Sequence, residues 1–358
     1  MRRRNLLAVA GVTAAGGAAT AYGVSQRDTG EDGDSDDGRN ESDGDGDGES
    51  ADEEADDERA DDLEERLEGS EGMLVFTYDD SPIEDYTFTY QVHQEYEVPG
   101  CLAVCPGLME QDSDAYLEPD QLVEIYEAGW TVMSHTYEHR ALGHTPLTEA
   151  ADEGDDRVSV EWGRHGEFES DPLVVFDDDG AYNTTSVAGG GGTDSTDAYV
   201  DLEEPLSETV SADGYLRHPE EFVQDILDRT DDRLAEWGID VTGFVYTYDR
   251  YHGVVEEIVR DQYDAVANHR YGGGHNEIDG LDPTTMQRMY IETDKTSEDE
   301  IDEFVQTAAD ERVLSIVGAH SQFETFTEER LEYTIEAALE NDLAIVTLDE
   351  ALAELGYL

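Results

Sequence analysis

The chain has 358 residues, of which 91 are Asp or Glu and 20 are Lys or Arg, giving a formal net charge of −71. That length accommodates one large domain plus a tail, and a hydrophobic content of 37% with 19 Tyr, 9 Phe and 3 Trp excludes a wholly disordered chain in spite of the charge. Two Cys exclude a disulfide scaffold, and the acidity argues against nucleic acid or an anionic membrane as a partner, since both require a basic surface.

At the amino terminus, Arg2-Arg3-Arg4 precedes a mild Ala/Gly/Val/Thr run, and Ala19-Thr20-Ala21 offers a small-residue cleavage site. Residues 1–27 therefore resemble a twin-arginine export signal, which predicts an extracellular or cell-surface protein; an uncleaved N-terminal anchor is the one membrane attachment left open. Residues 28–72, dominated by Asp, Gly, Ser and Glu, have little to bury and predict a disordered acidic linker. The acidity does not end there. From Gly72 onward 68 acidic residues face 13 basic ones, and Lys295 is the single Lys of the whole chain. An evenly spread acidic, Lys-poor surface suits molar salt, where the Debye length of about 3 Å screens self-repulsion.

From Met73 the pattern becomes short apolar runs alternating with amphipathic stretches. Strands are predicted at 74–78, 102–104, 131–133, 243–247, 264–267, 313–317 and 343–346. Helices are predicted from Pro119 to Gly129, from Pro219 to Gly238, after a Ser297/Glu300 capping box, and from Thr327 to Asn341. Seven or so strands with intervening helices imply an α/β fold with a parallel sheet, most economically closed as a barrel over residues 73–147 and 218–358. Residues 148–217 break the rhythm with glycines and β-prone pieces and predict a β-rich insertion.

Polar residues collect where these strands end. Asp79-Asp80 follows the first strand, Ser134-His135 the third, Tyr246-Thr247-Tyr248 the fourth and Ala319-His320 the penultimate one. The carboxyl ends of parallel barrel strands converge on one face, where active sites assemble. His135 and His139 are four apart, so a helical turn after the strand would present both imidazoles on one side to a divalent metal. One carboxylate of Asp79-Asp80 could complete a His-His-Asp set with open positions for water, leaving the other free as a base. An acid such as His320 would then protonate a leaving amine.

Taken together, Tyr78-Asp79-Asp80, Ser134-His135-Thr136-Tyr137-Glu138-His139 and Gly318-Ala319-His320 resemble the motifs of the polysaccharide deacetylases of the NodB-homology type, carbohydrate esterase family 4. The resemblance covers about 73–147 and 218–356 and implies a distorted (β/α)7 barrel. It implies Asp79 as general base, Asp80, His135 and His139 as ligands of one divalent ion, usually zinc, His320 as general acid, and the Tyr248 backbone N–H as an oxyanion donor. Arg288 resembles an arginine that tethers the base in some members, with Arg250 as the other candidate. Thr247 stands where the family usually has Pro, and the aromatic motif that lines the sugar site is not recognisable. The implied activity is metal-dependent removal of N-acetyl groups from a glycan. Two rival readings remain: an amidohydrolase acting on a smaller amide, and a non-catalytic glycan-binding surface protein. Cys101 and Cys105 bracket one strand, too far apart for a disulfide, and are read as buried thiols.

Overall fold

The computed structural model describes residues 63, 66–70, 72–111, 113–192 and 197–358. The expected export signal lies outside the described residues, as does most of the expected linker. The linker expectation fails at its carboxyl end. Leu63 and Leu67, four apart on one helical face, pack against the barrel core, and the Arg66 guanidinium donates to the Ile345 carbonyl at 2.9 Å and to Glu350. The local sequence is acidic enough to look like linker, but these three residues have tertiary partners. Among the described residues, no helix is long and apolar enough to cross a membrane.

The strands, in chain order, are β1 (Gly72–Asp79), β2 (Cys101–Val104), β3 (Thr131–Ser134), β4 (Thr145–Pro146), β5 (Arg157–Ser159), β6 (Pro172–Phe176), β7 (Tyr182–Gly191) and β8 (Tyr199–Leu202). They continue as β9 (Tyr215–Arg217), β10 (Gly243–Phe244), β11 (Ala265–Val266), β12 (Arg270–Tyr271), β13 (His275–Asn276), β14 (Gln287–Tyr290), β15 (Leu314–Ala319) and β16 (Leu343–Ile345). The main sheet runs β11-β10-β3-β2-β1-β15-β14-β12, with β16 beside β1 and β13 beside β15. Every pairing in it is parallel except β13 with β15. Helices Pro119–Glu127, Glu220–Glu236, Val255–Gln262, Glu298–Glu311 and Glu328–Glu340 cross between the strands. The Ser297/Glu300 capping box is present at the fourth of these. Because the sheet curls without β11 meeting β12, the architecture fits a distorted, incompletely closed barrel.

Strand parity divides this sheet into two apolar layers. Leu74, Phe76 and Tyr78 of β1 belong to the cluster under the helices, whereas Met73 and Val75 belong to a second cluster on the inner face. Thr77 and Asp79 continue the inner row. The same parity gives inner rows Met133-His135, Met286-Arg288-Tyr290 and Leu314-Ile316-Gly318-His320, whose apolar members lie in that second cluster. Each row starts with packed apolar residues and ends in a polar one at the carboxyl face, so the alternation that builds the core also aims the candidate site.

The irregular stretch is a six-stranded antiparallel sheet, order β4-β9-β6-β7-β8-β5, with its own apolar cluster around Val158, Leu173, Val175, Val200 and Leu216. It begins at Thr145, three residues before the predicted boundary. β12, β13 and β14 are absent from the predicted strands because the Gly, Asn and Asp content of residues 270–290 reads as loop; pairing of β13 and β14 with β15, and of β12 with β14, makes them strands. Cys101 and Cys105 are buried free thiols.

Candidate metal centre and catalytic cleft

Asp79 ends β1, and its carboxylate is gripped by Arg288 of β14. Arg288 Nη1 donates to Asp79 Oδ1 at 2.8 Å and Nη2 to Oδ2, with both side chains almost wholly buried (1% and 2% exposed). The guanidinium also donates to Thr77 Oγ1 at 3.2 Å and to the Tyr290 hydroxyl at 2.6 Å, and that hydroxyl donates to Asp249 Oδ2 at 2.8 Å. Gly318 makes this possible, since a Cβ there would lie 3.0 Å from Arg288 Cδ. Burial favours the neutral acid of Asp79, but the charge and hydrogen bonds of Arg288, with His135 and His320 nearby, hold its carboxyl below the usual carboxylate range. Of the two arginines considered as tether, Arg288 takes that place; Arg250 lies at the rim, 4.0 Å from Glu161.

Asp80 leaves the β1 row through a left-handed backbone conformation, φ 78°, which turns its carboxylate toward the end of β3. There Asp80 Oδ1 lies 3.0 Å from His139 Nε2 and 3.5 Å from His135 Nε2. The predicted helical turn between the two histidines does not form. Residues 135–140 are loop, with Thr136 and His139 at φ 65° and 60°, and the ring centroids are 5.0 Å apart. The loop is held by Gly107 N–H on the Tyr137 carbonyl at 2.7 Å, by the Cys105 thiol on the His135 carbonyl at 3.1 Å, and by the Thr247 hydroxyl on the Arg140 carbonyl at 2.6 Å. Thr247 thus ties the His139 loop to the Tyr248 turn.

These three side chains fit a divalent cation. His135 Nδ1 lies 2.7 Å from the Val245 carbonyl, which fixes a proton on Nδ1 and leaves Nε2 as the atom facing Asp80. Asp80 Oδ1 is buried without a hydrogen-bond partner, and one donor atom from each residue lies within 4.8 Å of the others. Donor atoms so arranged need a positive charge between them, a proton or a metal cation, and ligand bonds of about 2.0–2.2 Å place neighbouring donor atoms roughly 3.0–3.5 Å apart. The other Asp80 oxygen accepts from Gln322 at 2.8 Å.

His320 follows β15, beside Asp79 because Tyr78 pairs with Ala319. Its Nε2 is 3.9 Å from Asp79 Oδ2, and its Nδ1 is 2.9 Å from Glu292 Oε1. Burial disfavours the imidazolium, but the Glu292 hydrogen bond and the charges of Asp79 and Asp80 outweigh it and push the imidazole up to about 8. Glu292, 1% exposed, was not singled out from the sequence. Its signal was the alternation Arg288-Met289-Tyr290-Ile291-Glu292, in which Met289 and Ile291 pack under the helices and the other three face inward.

Tyr248 sits on the turn Thr247–Asp249 with φ 59°, its ring 4.3 Å from that of His139 and its hydroxyl donating to Glu167 at 3.1 Å. All seven sequence-selected residues therefore come together at one end of the barrel. The cleft, of about 410 Å³, is also lined by Trp162 and Arg164 from the insertion and by Phe323, whose ring stacks on His320 at 4.6 Å. No sequence signal announced Trp162, because only the tertiary fold carries the insertion to this cleft.

Among solved structures, the chain resembles the carbohydrate esterase family 4 domain of a multidomain xylanase from the hindgut metagenome of Trinervitermes trinervoides. Identity is 12%, with 80% of this chain and 91% of that one covered and a TM-score of 0.43. A family 4 acetyl xylan esterase from Clostridium thermocellum, solved with a cobalt ion, gives 11% identity, 79% and 92% coverage and a TM-score of 0.44. A family 4 carbohydrate esterase from Streptomyces lividans, in complex with acetate, gives 10%, 79% and 96%, and 0.41. No curated protein matches the chain. The family model described as polysaccharide deacetylase matches residues 66–159, the segment that contains Asp79, Asp80, His135 and His139.

Proposed function

We propose that this protein is a metal-dependent N-deacetylase of a glycan. The observation that carries the reading is the meeting of three elements in one cleft: the Asp80, His135 and His139 donor set, the Asp79–Arg288 pair and the His320–Glu292 pair. A divalent ion, zinc being the first candidate, would supply a water of lowered pKa and polarise the substrate carbonyl. Asp79, kept ionised by Arg288, is the base that would accept the proton of the attacking water. Tyr248 N–H is assigned to the carbonyl oxygen as negative charge develops on it. His320 donates the proton that lets the amine leave; the Glu292 contact holds Nδ1–H and leaves Nε2 facing the cleft. The products are acetate and a free amino sugar.

A second cavity of about 400 Å³ adjoins the first and shares Tyr248, Asp249, Arg250, Tyr290 and Lys295 with it. Such an extended groove favours a glycan chain over a small amide. The intact base and acid pairs favour an enzyme over a binding protein on the same fold. Export to a cell surface and function at high salt are part of the proposal, supported by the arginines at 2–4 and by the acidic, Lys-poor composition. Acetate release from a panel of N-acetylated oligosaccharides at molar KCl tests the reading. Release that stops with chelator and returns with zinc is expected; no release from any member by zinc-loaded protein would refute it.

A further inference from the structure

In a chain with 91 acidic and 20 basic residues, the distribution of the few cations is informative. The catalytic cleft is lined by four carboxylates and by three cations outside its buried pairs: Arg164, Arg250 and the chain's single lysine, Lys295. The four are Asp79, Asp80, Asp249 and Glu292, and each already has a partner. Asp79 and Asp249 contact Arg288, Asp80 faces the histidines, and Glu292 holds His320. The cations at the mouth are differently placed. Lys295, 46% exposed, lies 3.8 Å from its exposed chain neighbour Asp294; Arg250, 37% exposed, lies 4.0 Å from Glu161. Exposed pairs of that length contribute almost nothing and exchange readily for a better acceptor. Arg164 is engaged by Glu167.

Arg250 and Lys295 also line the adjoining cavity, so they stand where the groove leads away from the metal centre. Trp162 lines the same cleft, its ring 4.9 Å from that of Tyr248 and with the Arg250 guanidinium 5.1 Å from its centroid. Trp162 is held firmly although it belongs to the insertion. The following Gly163 lies so close to β7 that a Cβ would meet the Gly191 carbonyl oxygen at 2.6 Å. Asp171 of the same insertion accepts from Arg140 Nε at 2.7 Å, next to the ligand His139. The sheet therefore anchors the indole in the cleft, tied to the His139 loop. Lys295 is fixed by the turn that carries Glu292, its N–H donating to the Glu292 carbonyl at 2.9 Å.

We infer that Trp162, Arg250 and Lys295 form a subsite for an anionic sugar unit, bearing a carboxylate or a sulfate, next to the N-acetyl sugar at the metal. Trp162 covers the apolar face of a sugar ring, and the two cations take its anionic group. Short-range contacts of this kind survive molar salt, where longer-range repulsion is screened, so the two cations at the groove mouth also set register. This inference rests on the glycan reading of the cleft and names its substrate class.

The test measures equilibrium binding to zinc-loaded Asp79→Asn protein at molar KCl, with the full chain and three oligosaccharides of equal length. One is a neutral N-acetylglucosamine oligomer, one alternates N-acetylglucosamine with glucuronic acid, and one carries sulfated N-acetylhexosamines. At least one anionic oligomer is expected to bind about tenfold or more tighter than the neutral one. The ratio is expected to fall close to one when Arg250→Gln and Lys295→Gln are added, with zinc content and circular dichroism showing that the fold persists. Which anionic oligomer wins identifies the group. Equal binding of all three, or a ratio that survives in the added variants, would overturn the subsite. Acetate release by the unmutated protein is scored separately: its failure with every oligomer removes the deacetylase reading, while charge selectivity in binding stands or falls independently.

Discussion

Replacing Arg288 by Met is the most revealing single change, because it leaves Asp79 as a buried carboxylate without its paired guanidinium, with His320 at 3.9 Å as the nearest cationic group. Both side chains are almost fully buried in the native protein, and Asp79 also loses both guanidinium hydrogen bonds. Removing one partner of such a pair costs about 3–5 kcal/mol, because the remaining charge is desolvated without compensation. For a domain of this size that is a fall in Tm on the order of 10 °C. The sign of its pH dependence also inverts. In the native protein the Asp79 carboxyl is depressed, so its contribution is present above the ordinary carboxylate pKa and is lost as pH falls through the folded value. In Arg288→Met, burial is opposed only by the more distant His135 and His320 and is expected to raise that pKa, so stability falls as pH rises past the unfolded value, and the deficit is larger near about pH 7 than near about pH 5. Adding Asp79→Asn removes the buried charge and recovers much of the loss. Chemical denaturation of the two single variants, the double variant and the parent at molar KCl measures the cycle. A cost below about 1 kcal/mol, the value of an exposed pair, or equal losses with and without Asp79→Asn, would show that the pair is not the buried, desolvated unit described here.

The two neighbouring aspartates separate in a metal assay: Asp80→Asn, like His135→Ala, is expected to lose zinc on desalting. Asp79→Asn keeps about one ion per chain while kcat falls by about 10²-fold or more. Proton donation by His320, pushed up to about 8, predicts a kcat that declines on the alkaline side, at or somewhat below that value because a bound cation repels the imidazolium. Glu292→Gln should move this limb to lower pH, and an unmoved limb would remove Glu292 from its positioning role. Thermal melts in molar and tenth-molar KCl should differ, with the lower salt destabilising. Lengthening the Debye distance from about 3 Å to about 10 Å restores repulsion among the 68 acidic residues that follow residue 71.

The local sequence was enough for the features that depend on short-range pattern. Apolar runs of five to six residues located β1 and β15, a Ser297/Glu300 pair located a helix start, and polar residues at strand ends located Asp79, His135 and His320. Arg288 entered only through its resemblance to a tethering arginine, and Glu292 did not enter at all, because residues 270–290 read as loop and parity has meaning only within a recognised strand. What the sequence could not fix depends on partners distant along the chain. The 135–139 spacing reads as a helical turn, yet Thr247, Gly107 and Cys105 pin it as a loop with two left-handed residues. β12 to β14 have weak strand character by themselves and exist through pairing with each other and with β15. The Arg288 tether and the Glu292 contact require β14 and the turn after it to lie beside β15, and Trp162 reaches the cleft only because the antiparallel sheet carries it there across the fold. Contacts of that kind are set by packing and charge neutralisation in the assembled barrel, where a buried Asp79 is tolerable only beside Arg288.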